Sequence, residues 1–234
     1  MSEGAGLQPD TCGCGPWTTL SGGSPCRIED DHQANAFLAN EAGQRTASAN
    51  EMISGHREGE RRCFRVLDGV VRLVRIFPDG QRQVARFAFP GDFVGLTASE
   101  RELTCEAVTD TTVLEYDAER LERISDCNPH LARQLARALR DGVDQNVEHV
   151  RLLGRRSARQ RLALFLKSLH GELGLGDLVP LPMARADIAD HVGLTAETVS
   201  RAFAELKRRR VLMEIDRNLV RLDLSALTSL ADET

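Results

Sequence analysis

Residues 184–206 read ARADIADHVGLTAETVSRAFAEL, and residues 207–210 continue as KRRR. The pattern is a short helix, a break and a longer helix. Ala189 is small where two helices would cross closely, Gly193 permits the backbone of a tight turn, and Thr195 can cap the helix that follows. Ile188, Leu194, Val199, Phe203 and Leu206 recur at spacings that share one buried side. Ala196, Glu197, Ser200 and Arg201 are left outside, within about one turn of each other.

That exposed set suits the major groove of double-stranded DNA. Glutamate accepts a hydrogen bond from cytosine N4, arginine pairs with guanine O6 and N7, and serine bonds a base or meets a thymine methyl. Glu197, Ser200 and Arg201 are therefore the candidate base-reading residues. Val211 to Leu224 reads as a β-hairpin turning at Asp216-Arg217-Asn218, which makes the motif a winged helix-turn-helix. Arg185, Thr195, Lys207, Arg209 and Arg217 are candidate contacts to the DNA backbone, where they would set orientation without reading sequence. The competing reading is two ordinary helices meeting at Gly193.

Charge is distributed in the same sense. The chain of 234 residues has a net charge of −5, yet residues 151–234 hold 14 Lys and Arg against 11 Asp and Glu. The acidic excess belongs to residues 1–150. No apolar run approaches the roughly eighteen residues of a membrane span, and Met1 to Asp10 lacks the basic start and apolar stretch of a secretory signal. A cytoplasmic location is expected.

Upstream, residues 50–116 change texture to short β-prone runs cut by turns. The runs are Cys63–Leu67, Val70–Phe77, Gln83–Phe89, Phe93–Leu96, Thr104–Thr109 and Thr112–Tyr116. Breaks at Asp68-Gly69, Pro78-Asp79-Gly80 and Pro90-Gly91-Asp92 have the spacing of an antiparallel barrel or sandwich, and Asp79-Gly80 signals a hairpin. Asp30–Asn40 can form a short helix.

Asn128 can cap a helix with Pro129 at its first position, and no further proline follows until Pro180. Leu135, Leu139, Val143, Asn146, Val150 and Leu153 then recur at three- and four-residue steps. This narrow stripe is a candidate homodimer seam, in which a polar Asn146 would fix register; the alternative is that it packs on its own β-domain. A second helix spans Ala158 to Leu173, stopped by Gly174 and Gly176.

The segments Asp68-Gly69-Val70-Val71-Arg72, Pro90-Gly91-Asp92-Phe93-Val94-Gly95 and, above all, Leu194-Thr195-Ala196-Glu197-Thr198-Val199-Ser200-Arg201 resemble the CRP/FNR superfamily of bacterial regulators over roughly residues 50–224. The resemblance implies an α+β chain. A flexible Cys-containing arm (1–27), read from its Gly-, Ser- and Pro-rich composition, precedes the implied parts: an antiparallel β-roll like that of cyclic-nucleotide-binding domains (28–127), a long dimerisation helix (128–153) and a C-terminal winged helix-turn-helix (154–234). The resemblance also implies RNA polymerase as a partner and Glu197, Ser200 and Arg201 as the base readers of the FNR-type branch, whose site is TTGAT, four spacer bases, ATCAA. Phe77-Pro78-Asp79-Gly80-Gln81-Arg82-Gln83 looks closest to FixK-type regulators, which commonly carry no cluster, so the working expectation is no cofactor.

The signal is less legible than the target. Nucleotide-binding relatives use Gly-Glu and Arg-Ser or Arg-Thr pairs, whereas here Gly95 is followed by Leu96 and the arginine's place reads Glu102-Leu103-Thr104, with Arg101 nearby. An acidic group beside a phosphodiester repels it, so cyclic AMP is not expected to bind. Cys12, Cys14, Cys26 and Cys105 are the candidate ligands of the alternative, a [4Fe–4S] cluster, though their spacing is not the usual one; zinc on the same arm is a further option. Cys63 and Cys127 read as packing residues, and His149 as a surface histidine rather than a haem ligand. A cupin-like enzyme would need His and carboxylate ligands clustered on the strands, where His56 stands alone, and a thiol redox protein would need a C-x-x-C motif that is absent. Neither accounts for residues 184–210.

Overall fold

The computed structural model describes residues 38–55 and 61–232. Cys12, Cys14, Cys26, His56 and most of the expected Asp30–Asn40 helix lie outside them. The β-roll is two antiparallel four-stranded sheets. One contains β1 (Gly43–Ala47), β8 (Thr111–Asp117), β3 (Arg62–Asp68) and β6 (Phe93–Val94) in that order. The other contains β2 (Met52–Ser54), β7 (Thr104–Ala107), β4 (Val71–Ile76) and β5 (Arg82–Ala88). Between them Phe64, Val66, Val71, Leu73, Ala88, Val94, Cys105 and Val113 form a dry core, as alternating inward residues of facing sheets should.

The outer faces of the two sheets have different partners. On the first, Cys63, Leu114 and Tyr116 pack with Leu121 of α2 (Ala118–Cys127) and Leu131 of α3 (Pro129–Leu153). On the second, Val74, Val84, Phe87 and Phe89 belong to the same hydrophobic cluster as the C-terminal helices. A bulge lets β5 do this. Leu73 faces Arg86 but Val74 faces Val84, so Ala85 is the extra residue. The alternation shifts there, and Val84, Phe87 and Phe89 all reach the outer side while Ala88 stays inside.

Asn128 caps α3 as expected, its side chain accepting from His130 and Leu131 N–H groups, with Pro129 at the first position. Ser157 opens α4 (Ala158–Leu173) with a capping box closed by Gln160. The C-terminal domain adds β9 (Leu178–Pro180), α5 (Arg185–Val192), α6 (Ala196–Arg208), β10 (Leu212–Asp216), β11 (Leu219–Leu222) and α7 (Leu224–Asp232). Its three strands pair as β10-β11-β9. No helix among the described residues is long and apolar enough to cross a membrane.

The expected seam on α3 divides. Leu139, Val143, Val147 and Val150 are exposed large hydrophobics, Val150 at 70%, and Asn146 is exposed beside them. Leu135 instead packs on the roll, and Leu153 on the C-terminal core. The reason is helical geometry, since at about 100° per residue Leu135 and Leu153 share one azimuth, roughly 80° from Val143, and so sit on the flank of the stripe that faces the rest of the protein. Val147 takes a place in the exposed stripe that the sequence pattern did not give it.

Candidate nucleic-acid interface

Gly193 ends α5 with φ 65° and ψ 46°, the left-handed conformation that the turn requires and that a side chain would strain. A Cβ there would also meet Leu153 Cδ2 at 3.3 Å, so the turn is pressed against the end of α3. Two residues later Thr195 caps α6, its hydroxyl accepting from the Thr198 N–H at 3.2 Å. Val199, Ala202, Phe203 and Leu206 anchor the inner face of α6.

The outer face carries Glu197, Ser200 and Arg201, all exposed and all on the first turns after the cap. The Ser200 hydroxyl donates to the Ala196 carbonyl at 2.8 Å, which leaves its oxygen lone pairs outward, and Arg201 donates to the Thr198 hydroxyl at 3.3 Å. Glu197 makes no ion pair among the described residues. One hydrogen-bond acceptor and one fork of donors thus stand side by side at a positively polarised helix N-terminus.

The candidate backbone contacts fare unequally. Lys207 pairs with Glu214 of the wing at 2.5 Å. Glu205 gathers Arg209 at 2.7 Å, Arg159 at 3.4 Å and Arg208, and Arg209 beside it holds its carboxyl below the usual range. Arg185 lies over the Phe203 ring at 3.5 Å and is half-buried, which pulls its pKa below the ordinary arginine value; it is first a packing group of the domain. Arg217 stands exposed at the tip of the β10-β11 hairpin, where the turn was expected, and Arg210 sits past the end of α6 at φ 59°. Neither has an ion pair among the described residues.

The contacts that hold α5 join residues far apart in the chain. Asp187, 6% exposed at its side chain, receives Arg72 of β4 and Arg82 of β5, each at 2.9 Å. Arg82 also reaches Asp190 at 2.5 Å, and Arg72 reaches Glu106 at 2.8 Å. Beside this cluster His191 packs edge-on against Phe87 and Phe165 and stacks on His149 at 4.2 Å. The His191 Nδ1–H donates to the Val84 carbonyl at 3.1 Å, and the His149 ring to the His191 carbonyl at 2.9 Å. Burial pushes the pKa of His191 down to about 3. His149 is therefore a buttress of the helix-turn-helix and not the surface histidine that its position suggested. A scattering of single acidic and basic residues more than a hundred positions apart offers no periodicity from which such a cluster can be read.

In the roll, the group facing the Gly95 turn differs from expectation. The acid is Glu100, on the short helix α1 (Ala98–Arg101), and not Glu102, which points outward to Arg75 at 3.5 Å. Glu100 accepts from the Gly95 N–H at 3.1 Å and from Arg86 at 2.7 Å, while Arg101 turns to the Gly95 carbonyl at 2.9 Å. The cavity beside them is about 20 Å³. Cys105, the candidate central cluster ligand, is buried between the sheets, and burial pushes its thiol up to about 12, opposite to the thiolate that iron requires. Among the described residues no group of three His, Cys, Asp or Glu is arranged to hold a metal ion.

Comparison with known proteins agrees with this geometry. Residues 44–127 match the model of the cyclic nucleotide-binding domain, and residues 160–230 that of the Crp-like helix-turn-helix domain. The chain is 37% identical over 189 residues to the nitrogen fixation regulation protein FixK of Bradyrhizobium diazoefficiens, covering 79% of this chain and 80% of that protein. The FixK protein of Rhizobium meliloti is 33% identical over 189 residues, covering 80% and 86% respectively. The solved structure of FixK2 from Bradyrhizobium japonicum superposes with a TM-score of 0.75 at 32% identity, covering 82% of this chain and 98% of that one.

Proposed function

From the premise that this chain belongs to the CRP/FNR family of DNA-binding transcription regulators, among its FixK-type members, and is not an enzyme, we propose that it acts as a homodimer on a TTGAT-N4-ATCAA-like palindrome. The observation that carries the proposal is the exposed trio Glu197, Ser200 and Arg201 at the capped start of α6. Arg201 pairs with guanine, Glu197 takes a cytosine amino group, and Ser200 completes the contact. Arg217 on the wing touches phosphate on the flanking backbone, with Lys207 and Arg209 joining it when their acidic partners release them.

The apolar stripe Leu139-Val143-Val147-Val150 supports dimerisation, because four exposed aliphatic residues in one narrow line are costly to leave in water. A two-fold axis along α3 presents two recognition helices to two half-sites. The bound dimer controls transcription through RNA polymerase, in oxygen- or nitrogen-related metabolism. The FixK relatives, named for regulation of nitrogen fixation, support that assignment.

Cyclic AMP is not the signal in this reading. The Glu100 carboxylate already occupies the Gly95 N–H and Arg86, where it would repel a phosphodiester, and the space left holds roughly one water. Gel-shift and sedimentation measurements on the palindrome and on a scrambled duplex test the proposal. One dimer per palindrome, with at least a hundredfold preference over the scrambled sequence, is expected; equal affinity for both would overturn it.

A further inference from the structure

A cavity of about 410 Å³ lies where β5, α3 and α4 meet, and it is distinct from the small space beside Gly95. Its apolar lining comes from Phe87 of β5 and Phe89 just past it, Leu152 of α3, and Phe165 and Leu169 of α4. Polar and charged side chains line the rest, with Arg151, Arg155, Lys167 and Glu172 among them. Arg86 and Gln145 both line it, and each has one buried atom, Nε and Oε1 respectively, without a hydrogen-bond partner. Buried polar atoms are rarely left so, since an unmade hydrogen bond costs the desolvation of the group.

Charge around the cavity favours an anion. Arg151 is matched by Glu148 at 2.7 Å, but Arg155 and Lys167, which also line it, have no ion pair among the described residues. Glu172 is the remaining acid, and burial, with the charge of Asp92, holds it above the usual carboxylate range. Size, aromatic walls and a few convergent polar groups are the ordinary features of a small-molecule site.

The cavity is accessible in the assembly proposed above. Nine residues separate Val143 of the exposed stripe from Leu152 of the cavity wall, which at about 100° per residue places them roughly 180° apart around α3. A partner helix seated on the stripe leaves the Leu152 side of the cavity open, while Asn146 beside the stripe lines its near edge.

We propose that this cavity binds an amphipathic organic anion. Its acidic group lies toward Arg155 and Lys167, and its ring or branched hydrocarbon body sits between the phenylalanines. An occupant there touches His191 of α5 as well as β5 of the roll, so it reports directly on how the helix-turn-helix is seated. The binding claim stands on the cavity alone, and its consequence for DNA rests on the function proposed above.

The full chain is titrated with 8-anilinonaphthalene-1-sulfonate, an aromatic anion whose fluorescence rises on burial. One saturable site per chain is expected, weakened at least tenfold by Ser168→Trp, which fills the cavity from an exposed position on α4, and by the pair Arg155→Glu and Lys167→Glu. Neutral N-phenyl-1-naphthylamine should bind at least tenfold more weakly. Unsaturable binding, or equal binding by the variants or by the neutral analogue, would overturn the proposal. Saturating dye should also shift palindrome affinity at least threefold in the wild-type chain and not in Ser168→Trp. If the dye site behaves as described but no palindrome is bound with or without dye, the anion site stands and the DNA reading fails.

Discussion

The guanidinium of Arg72 on β4 meets the carboxylate of Asp187 on α5 at 2.9 Å, joining side chains 115 positions apart with exposures of 11% and 6%. With Arg82, Asp190 and Glu106 the pair forms a charged cluster through which the roll grips the first helix of the helix-turn-helix. Attraction between charges grows in a poorly solvated setting, but so does the penalty for leaving one alone. Asp187→Ala, which leaves Arg72 to Glu106 and Arg82 to Asp190, should therefore cost about 1–3 kcal/mol in urea unfolding. The double variant Arg72→Met, Asp187→Leu should recover at least half of that loss. If Asp187→Ala is neutral, the cluster does not hold the domains together.

Which parts of this arrangement could be foreseen depends on the distance over which each signal acts. The α4 boundaries, the Asn128 cap, the Gly193 turn and the hairpin at Asp216–Asn218 are set by neighbours within four residues, and all were legible. The helix α2 was missed because half of its sequence AERLERISDC is charged, with only Ala118 and Leu121 buried. Strands β1 and β2 are short and half-exposed and carry little alternation. The trio Glu197, Ser200, Arg201 could be named from one local motif, and the structure leaves all three exposed at the start of α6. The Asp187 cluster, the Ala85 bulge and the choice of Glu100 over Glu102 depend on pairings between distant strands and helices, and they became visible only with the fold.

The division of the α3 stripe makes a discriminating pair of variants. Val150, 70% exposed, should lie in the dimer seam, so Val150→Glu places like charges across a two-fold contact and should shift the protein to monomer. Leu153 packs on the C-terminal core, so Leu153→Ala should leave the dimer intact and lower domain stability by about 2–3 kcal/mol. Sedimentation velocity and thermal melts separate the two. A monomeric Leu153→Ala protein, or a dimeric Val150→Glu one, would reverse the assignment.

Cyclic AMP should release no heat on titration into the wild-type protein, because the Glu100 carboxylate is bonded to the Gly95 N–H. Micromolar binding measured by calorimetry would show that α1 can move aside and that Glu100 does not block the site.

Acid should loosen the seating of α5. His191 has a pKa of about 3 in the folded protein, against about 6.5 when unfolded, so the unfolded chain binds the extra proton between those values. Its contribution to stability is complete above about pH 6.5 and is lost as pH falls toward 3, with a slope of at most about 1.4 kcal/mol per pH unit. His191→Gln retains a donor for the Val84 carbonyl but cannot titrate, so its stability between pH 6.5 and 5 should fall less steeply than that of the wild type. Equal slopes in urea unfolding across that range would assign the acid sensitivity to other groups.

The sharpest test of base reading contrasts Arg201 with Arg217, because both are exposed and positively charged but stand in different places. Arg201 emerges from the first turns of α6 beside Glu197, where the helix would enter the groove, and Arg217 from the tip of the wing. Arg201→Ala should lose a bidentate guanine contact worth about 1–3 kcal/mol per half-site, with the loss concentrated on one base pair and preference relaxed there. Arg217→Ala removes one phosphate contact, so it should weaken all sequences alike and reduce the slope of log affinity against log salt by about 0.9 per half-site. Glu197→Ala adds a third signature. A carboxylate near phosphates is unfavourable unless a base amino group offsets it, so this variant should bind non-specific duplex more tightly while discriminating less. Affinities for every single substitution in one half-site, at two salt concentrations, distinguish the three. If Arg201→Ala lowered affinity uniformly and left the preference profile unchanged, α6 would be docking on the backbone, and the reading of sequence would have to lie elsewhere in the protein.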